Sequence, residues 1–362
     1  MNNFYKEKLV AVLKQNNVDA MLIAPSEEME FILGHNTHIC ERFQALIIKS
    51  TGEYFYICNM LTSDEIKGVL GDGINVYGWY DGDGYMDTAR KAFEENGLIG
   101  KTIGVNSTER AFIILDIMKE LDIKFINGKP LLEKMRIIKT EDEIAKLKKA
   151  AKITDETFDG IVKFVKPGMK EIDVINFIKD EFAKKGADFG FALIASGPNA
   201  ALPHYGGSDR VIQEKDVLLC DFGCVYQGLC ADMTRTIFIG EATEDQRKMY
   251  NYVLRGTMMG EEKAVDGAYI PDVDKAARDI IDESGYGATF VTRLGHGIGY
   301  SIHEAPDMKQ SNKMYLEPGM TFSIEPGIYR VNEYGIRVED IVLVTKGGNE
   351  ILNKASREII VV

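Results

Sequence analysis

The 362-residue sequence has five cysteines, five histidines, no cluster of basic residues interleaved with aromatics, and no recognisable phosphate loop. Each shortage excludes something. An odd number of cysteines without regular spacing gives no disulfide framework and suits reduced thiols in a reducing compartment. The opening stretch MNNFYKEKLVAVLKQNN carries charges within its apolar run and lacks both a long h-region and a small-residue cleavage site, so a cytoplasmic protein is expected. A formal net charge of −13 argues against a nucleic-acid footprint, and nothing points to a membrane role. What is present, 45% hydrophobic and 27% charged residues, is ordinary for a soluble globular chain.

At this length two domains are expected. Residues 1–132 alternate short apolar strands (DAMLIA, QALIIKS, EYFYIC, KTIGVN, KFIN) with helical patterns, which predicts an α/β unit. One such pattern runs from Ser107 to Leu121, with Ala111, Ile114, Leu115 and Met118 at helical spacing. Near residue 130 the chain changes to a charged link, LEKMRIIKTEDEIAKLKKAAKI, in which Thr140 and Glu143 form a capping box for a long helix. The second domain, 133–362, holds an internal repeat. Pro167-Gly168 through Lys185-Gly186 returns 99 residues later as Asp266-Gly267 through Ser284-Gly285, each a turn, an amphipathic helix and a glycine stop. Duplication of this kind predicts a pseudo-twofold arrangement with helices outside a curved sheet.

Four carboxylates in this domain fall as two pairs at hairpin spacing. VLLCDFGCVYQGLCADMTRTIFI reads as two strands folding about Tyr226, Gln227 and Gly228, with Asp221 opposite Asp232. MTFSIEPGIYRVNEYGIRVEDIVLV folds about Val331 to Tyr334 and sets Glu325 opposite Glu339. Like charges opposite one another destabilise a sheet, and buried carboxylates are costly, so these pairs call for a divalent cation. The plain alternative is that some of these acids face solvent, but all four lie in apolar runs. Asp340, on the other strand face, suits a solvent or structural role. His296 stands between glycines in Leu-Gly-His-Gly-Ile-Gly-Tyr, where close backbone approach is possible; His303 follows seven residues later, and His204 precedes Asp221 by 17. Cys220, Cys224 and Cys230 do not converge on the predicted hairpin and are assigned to core packing. Asp221-Phe222-Gly223 spells a kinase signature without the rest of a kinase, and DGDGYMD at 81–87 has Tyr85 and Met86 where a calcium loop needs a ligand and a glycine.

The ordered series Asp221, Asp232, His296, Glu325, Glu339, with the phrases SGPNAALPH, DMTRT, HEAP and SIEPGIY, resembles the pita-bread metallopeptidase superfamily of methionine aminopeptidase, aminopeptidase P and prolidase. The resemblance covers the whole chain and is nearer to the Xaa-Pro aminopeptidase and prolidase group, because residues 1–132 look like a creatinase-type N-terminal domain. It implies an α/β two-domain protein with a pita-bread α+β catalytic domain. It also implies that Asp221 binds one metal, His296 and Glu325 the other, and Asp232 and Glu339 both. A carboxylate-rich cage suits hard ions, Mn²⁺ first, with Co²⁺ or Zn²⁺ able to substitute. By the same resemblance a hydroxide shared by the metals attacks the Xaa-Pro bond of peptide substrates, with Glu325 as proton shuttle. His303 stabilises the tetrahedral intermediate, His204 contacts substrate, Arg337 joins the polar network, and the molecule is a homodimer. For Arg337 a surface strand-edge role stays open, and for Tyr329, a candidate pocket residue, simple packing does.

Two departures stand out. Where many relatives read His-Gly-x-Gly-His, this chain has Thr292-Arg293-Leu294-Gly295-His296, so a substrate-contacting histidine is missing and Arg293 becomes a candidate partner for a substrate carboxylate. In the first domain Phe-Ile-Leu-Gly-His35 replaces a Tyr-Leu-Thr-Gly-Phe pattern, leaving His35 and His38 as substrate contacts, as a second metal site with Cys40, or as part of a polar loop. A metal-dependent hydrolase or lyase acting on a small non-peptide metabolite is the alternative reading. A non-catalytic binding module is disfavoured, because the ligands are kept and no basic insertions occur.

Overall fold

The structure is a computed structural model that describes residues 1–35, 37–71 and 73–362. The chain divides into two compact units, Met1–Arg136 and Ile137–Val362. The first is built on six strands: β1 Ala20–Ile23, β2 Ala45–Lys49, β3 Tyr54–Asn59, β4 Val76–Trp79, β5 Thr102–Val105 and β6 Lys124–Asn127. They lie in the order β4-β3-β2-β1-β5-β6. The β1–β2 and β2–β3 pairs are antiparallel and the rest parallel. Every residue of the central β1 is buried, as expected for a strand covered on both faces. Leu22, Ile47, Phe55 and Ile57 from the sheet pack with Phe93, Ile113 and Ile117 from helices.

Three sequence expectations change in this unit. β4 was not foreseen, because Val-Tyr-Gly-Trp is a short, half-exposed edge strand with a glycine inside it. The helix expected from Ser107 begins at Ala111, and its buried face is Ile113 and Ile117, while Leu115 and Met118 are exposed. A helix with apolar residues on two faces does not reveal by spacing which face meets the core. The boundary also moves, because Lys129–Arg136 forms a helix belonging to the first unit. Its Leu131, Leu132 and Met135 are buried, Arg136 lies 3.4 Å from Glu28, and Lys8 donates to the Met135 carbonyl.

The second unit contains the duplication. Helices Glu141–Phe164 and Glu171–Lys184 are matched by Glu244–Lys263 and Ile270–Asp282. Gly168 and Gly267 both adopt positive φ, as do Gly186 and Gly285. The isolated bridges Lys170–Val211 and Tyr269–Tyr315 also begin 99 residues apart. Capping boxes start the long helix of each pair, Thr140 with Glu143 and Thr243 with Gln246.

The strands of this unit are β7 Asp188–Ser196, β8 Val217–Tyr226, β9 Leu229–Cys230, β10 Met233–Phe238, β11 Gly295–Gly297, β12 Glu304–Met308, β13 Thr321–Ile324, β14 Gly327–Arg330, β15 Tyr334–Arg337, β16 Asp340–Thr345, β17 Gly348–Ile351 and β18 Ile360–Val361. One sheet runs β18-β10-β8-β7 with β9 paired to β8, another runs β12-β11-β13-β16-β17, and β14–β15 form a ribbon. Each sheet has its own helix cover. Phe158, Ile178 and Phe182 pack on Leu218, Cys220, Phe222 and Ile237, whereas Met249, Val253, Ile270 and Ile281 pack on Phe322, Ile324, Val342 and Val344. Cys220, Cys224 and Cys230 are buried free thiols within the first of these cores. No helix of the described residues is long and apolar enough to cross a membrane.

Candidate active site

The second hairpin has the register its sequence spacing predicts. β14 pairs Gly327 with Arg337, and β13 pairs Ile324 with Asp340, so Glu325 faces Glu339 in the short gap between the two ladders. The first hairpin is shifted. Its turn is two residues long, Gln227-Gly228, with φ of 50° and 83°, the backbone of a type I′ turn. Asp221 is therefore opposite Thr234, and Asp232 lies two positions away in the link between β9 and β10. An even displacement preserves the face, so Asp221 and Asp232 still address one pocket.

His296 reaches the same pocket from β11, a strand wedged between β12 and β13. A Cβ at Gly295 would lie 1.9 Å from the Ser323 carbonyl oxygen, and one at Gly297 2.2 Å from that of Ala305, so neither neighbour of His296 tolerates a side chain. The His296 backbone N–H donates to Ser323 Oγ, and its Nδ1 is 3.1 Å from the Gly297 carbonyl. With its proton on Nδ1, the tautomer that ligation of a metal would select, Nε2 would turn its lone pair inward; without a metal the same nitrogen faces Glu325 as a hydrogen-bond donor. Nε2 is 3.2 Å from Glu325 Oε1 and 3.5 Å from Asp232 Oδ2. Ligand atoms of Asp232, His296 and Glu339 all lie within 4.8 Å of one another.

The cluster holds more negative charge than it can neutralise. Asp232 and Glu339 are pushed well above the ordinary carboxylate range, first by burial and then by each neighbour's charge. Burial also raises Asp221, partly offset by Arg337. Glu325 alone is lowered: burial opposes ionisation, but the hydrogen bond and charge of His296 and the charge of Arg337 outweigh it. Asp221 Oδ1, Asp232 Oδ1 and Glu339 Oε1 are buried oxygens without a hydrogen-bond partner. Buried acceptors left open in a dense acidic pocket fit divalent cations, and oxygen donors with one imidazole suit hard or borderline ions.

Arg337 is only 3% exposed and lies behind the acids. It donates from Nε to Thr234 Oγ1 at 2.9 Å, from Nη1 to Tyr329 Oη at 2.8 Å and from Nη2 to Asp221. Arg337 thus lies in the polar network of the site and not at a surface strand edge, bracing Asp221 directly, while Tyr329 is buried behind it and supports the guanidinium. Thr234 was missed, although its hydroxyl links Arg337 to Glu339 Oε2, as was Ser323, whose hydroxyl donates to Glu325 at 3.1 Å. Each lies two residues from a candidate ligand, Asp232 or Glu325, and that even spacing was the available signal. Asp340 proves to be fully buried, paired with Arg235 and Arg357 at 2.7 Å each, so a solvent role is excluded.

His303 stands at the exposed edge of the pocket with its ring 4.1 Å from that of His296. Burial of its inner part, with the charges of His296 and Arg293, pushes its pKa down to about 4. His204 and Arg293 are both close enough to act on it electrostatically. Arg293 pairs with Asp307, which also binds Lys309. His35 belongs to the first unit, where Nε2 is 2.9 Å from Glu65 Oε1.

Comparison with known proteins identifies the family of the chain. The model of metallopeptidase family M24 matches residues 145–346, and that of the creatinase/prolidase N-terminal domain matches residues 6–138. An uncharacterized peptidase of Staphylococcus epidermidis is 34% identical over 350 residues, covering 96% of this chain and 98% of the relative. A prolidase of Thermococcus sibiricus superposes with a TM-score of 0.92 at 31% identity, over 100% of this chain and 98% of its own. A dipeptidase of Mycobacterium ulcerans does so at 0.93 and 30%, over 99% and 96%. With its buried carboxylates, inward imidazole and full-length likeness to pita-bread prolidases, this chain belongs to metallopeptidase family M24 and carries a creatinase/prolidase-type N-terminal domain.

Proposed function

We propose that the protein is a peptidase that binds two divalent ions, Mn²⁺ foremost, and hydrolyses the Xaa-Pro bond in dipeptides or at the N-terminus of longer peptides. The observation that carries this reading is the set of open, buried oxygens on Asp221, Asp232 and Glu339 around His296 Nε2. Asp221 would hold one ion, His296 and Glu325 the other, with Asp232 and Glu339 shared. Ions bound there would supply Lewis acidity and make a bound water acidic enough to lose its proton near neutral pH.

The chain's own groups do the rest. Glu325, kept ionised by His296 and Arg337, takes a proton and returns it to the leaving amine. His303, neutral at physiological pH, donates to the scissile carbonyl oxygen as that oxygen gains charge. His204 lies near the scissile bond, and Arg293, steered by Asp307, meets a substrate carboxylate. A homodimer is the proposed assembly. The Thr292-Arg293 departure favours a second reading, hydrolysis or lyase chemistry on a small anionic metabolite.

The test uses metal-stripped protein titrated with Mn²⁺ against matched Xaa-Pro dipeptides, Xaa-Pro-Yaa tripeptides and Xaa-Ala controls, with Asp232→Asn as the inactive control. Metal-dependent cleavage confined to Xaa-Pro substrates supports the proposal, and the dipeptide-to-tripeptide ratio separates dipeptidase from aminopeptidase. Tight binding of two ions without cleavage of any proline peptide overturns it in favour of the second reading.

A further inference from the structure

We propose that Lys139 and Glu304 are positioning residues that fix the His303 imidazole against the metal-binding cluster; the catalytic consequence rests on the peptidase reading above. His303 ends the segment 299–303, which runs between β11 and β12 outside any ladder. Among the described residues its ring makes the contact with His296 and no hydrogen bond, so the ring's place depends on the backbone that carries it. That backbone is tied down from the next residue. Glu304 Oε1 accepts from Lys139 Nζ at 2.7 Å, and both side chains are 1% exposed. Glu304 Oε2 accepts from the Ser301 N–H at 3.3 Å, folding the segment back on itself.

The start of the helix Glu141–Phe164 thus grips the segment at two points. Lys139 holds Glu304, and the capping-box residue Glu143 is hydrogen-bonded to Tyr300. The hairpin bearing Asp232 supplies a third, as the Cys230 N–H donates to the Gly299 carbonyl at 2.7 Å. Packing around the ion pair is tight: a Cβ on Gly299 would lie 2.6 Å from both Glu304 Oε1 and Lys139 Cε. Lys139 is itself anchored through its N–H to the Gly319 carbonyl, just before β13.

A fully buried ion pair is a poor way to gain stability, because desolvation cancels most of its attraction and an apolar pair of similar volume holds a fold as well. What the charged pair adds is a link of one length and direction. Here that link ends one residue from the catalytic imidazole, where a displacement of about 1 Å can cost about 100-fold in rate.

The test compares Lys139→Met, the apolar double variant Lys139→Met/Glu304→Met, Lys139→Arg and His303→Ala in the full chain. The readouts are Mn²⁺ stoichiometry by calorimetry, kcat and KM on an Xaa-Pro substrate, and hydrogen exchange of peptides spanning 299–304. The double variant should fold and bind two Mn²⁺, yet exchange at 299–303 should quicken at least about ten-fold. Its kcat should fall toward that of His303→Ala, about 100-fold, with KM little changed. Lys139→Arg, which keeps the charge, should restore slow exchange. Wild-type exchange and kcat in the double variant would overturn the inference while leaving the peptidase reading intact. Should the wild-type chain cut no Xaa-Pro peptide, the peptidase reading falls by itself, and unchanged exchange in Lys139→Met or the double variant would still refute the positioning role.

Discussion

Glu339 and Asp340 are consecutive, both buried, and belong to two clusters of opposite design. Asp340 joins Glu261 against two guanidiniums: Arg235 and Arg357 each lie 2.7 Å from Asp340, and Arg357 lies 2.7 Å from Glu261. Acids and bases there match in number. Glu339 joins Asp221, Asp232 and Glu325 around the His296 imidazole, with Arg337 behind them. Burial therefore does not mark a working acid in this domain; the charge left unmatched does. The two clusters are also coupled, because Arg235 donates to the Glu339 carbonyl at 2.6 Å, so the balanced one braces the unbalanced one.

The contrast can be broken from either side. The largest effect is expected for Asp232→Asn, which should reduce metal affinity and activity by more than about 100-fold. The same change should leave the metal-free protein as stable as before or more so, since a repelled carboxylate is gone; a calorimetric titration and a thermal melt check both halves. Asp340→Asn should do the reverse, destabilising the metal-free chain by about 3–5 kcal/mol in urea because buried guanidinium charge loses its partner. Thr234→Val removes the hydroxyl between Arg337 and Glu339 and should weaken Mn²⁺ binding about ten-fold with little change in melting temperature.

The smallest expected effect is a slope. Glu261 is raised from an ordinary value of 4.5 to about 7, by burial first and then by the charge of Asp340. The folded state holds that proton more tightly than the unfolded one. Its stabilising contribution is therefore full below about 4.5 and disappears as pH rises through about 7. Glu261→Gln should flatten the stability profile of the metal-free protein between about pH 4.5 and 7, measured by urea unfolding at each pH.

How much of this was legible in the sequence depends on the kind of signal. Strand parity separated Glu339 from Asp340 and set Glu325 opposite Glu339, because period-two alternation is strict wherever one face is buried; the turn itself is one residue shorter than the expected Val331 to Tyr334. The 99-residue duplication was visible because turns, helices and glycine stops recur together. The first hairpin was misjudged by two residues, since one more residue in the turn cannot be told from one fewer by apolar pattern alone; only the positive φ of Gln227 decides it. The buried face of Ala111–Glu120 was ambiguous for a similar reason, with apolar residues all round. For Thr234 and Ser323 the sequence offered only an even spacing from a ligand, which marks the face but not the partner; that Thr234 meets Glu339 depends on strands 105 residues apart coming together.

The parallel pairing of Ile237 with Ile360 and Phe238 with Val361 has a consequence for how the chain is made. β10 leaves synthesis with one edge open, and the strand that covers it is specified about 120 residues later, roughly ten seconds at ordinary elongation rates. During that interval the end of β10 at Ile237 and Phe238 offers unpaired backbone to any neighbouring chain, the condition under which edges aggregate. A sheet closed late by so short a segment makes the nascent protein, more than the finished one, the form most in need of protection.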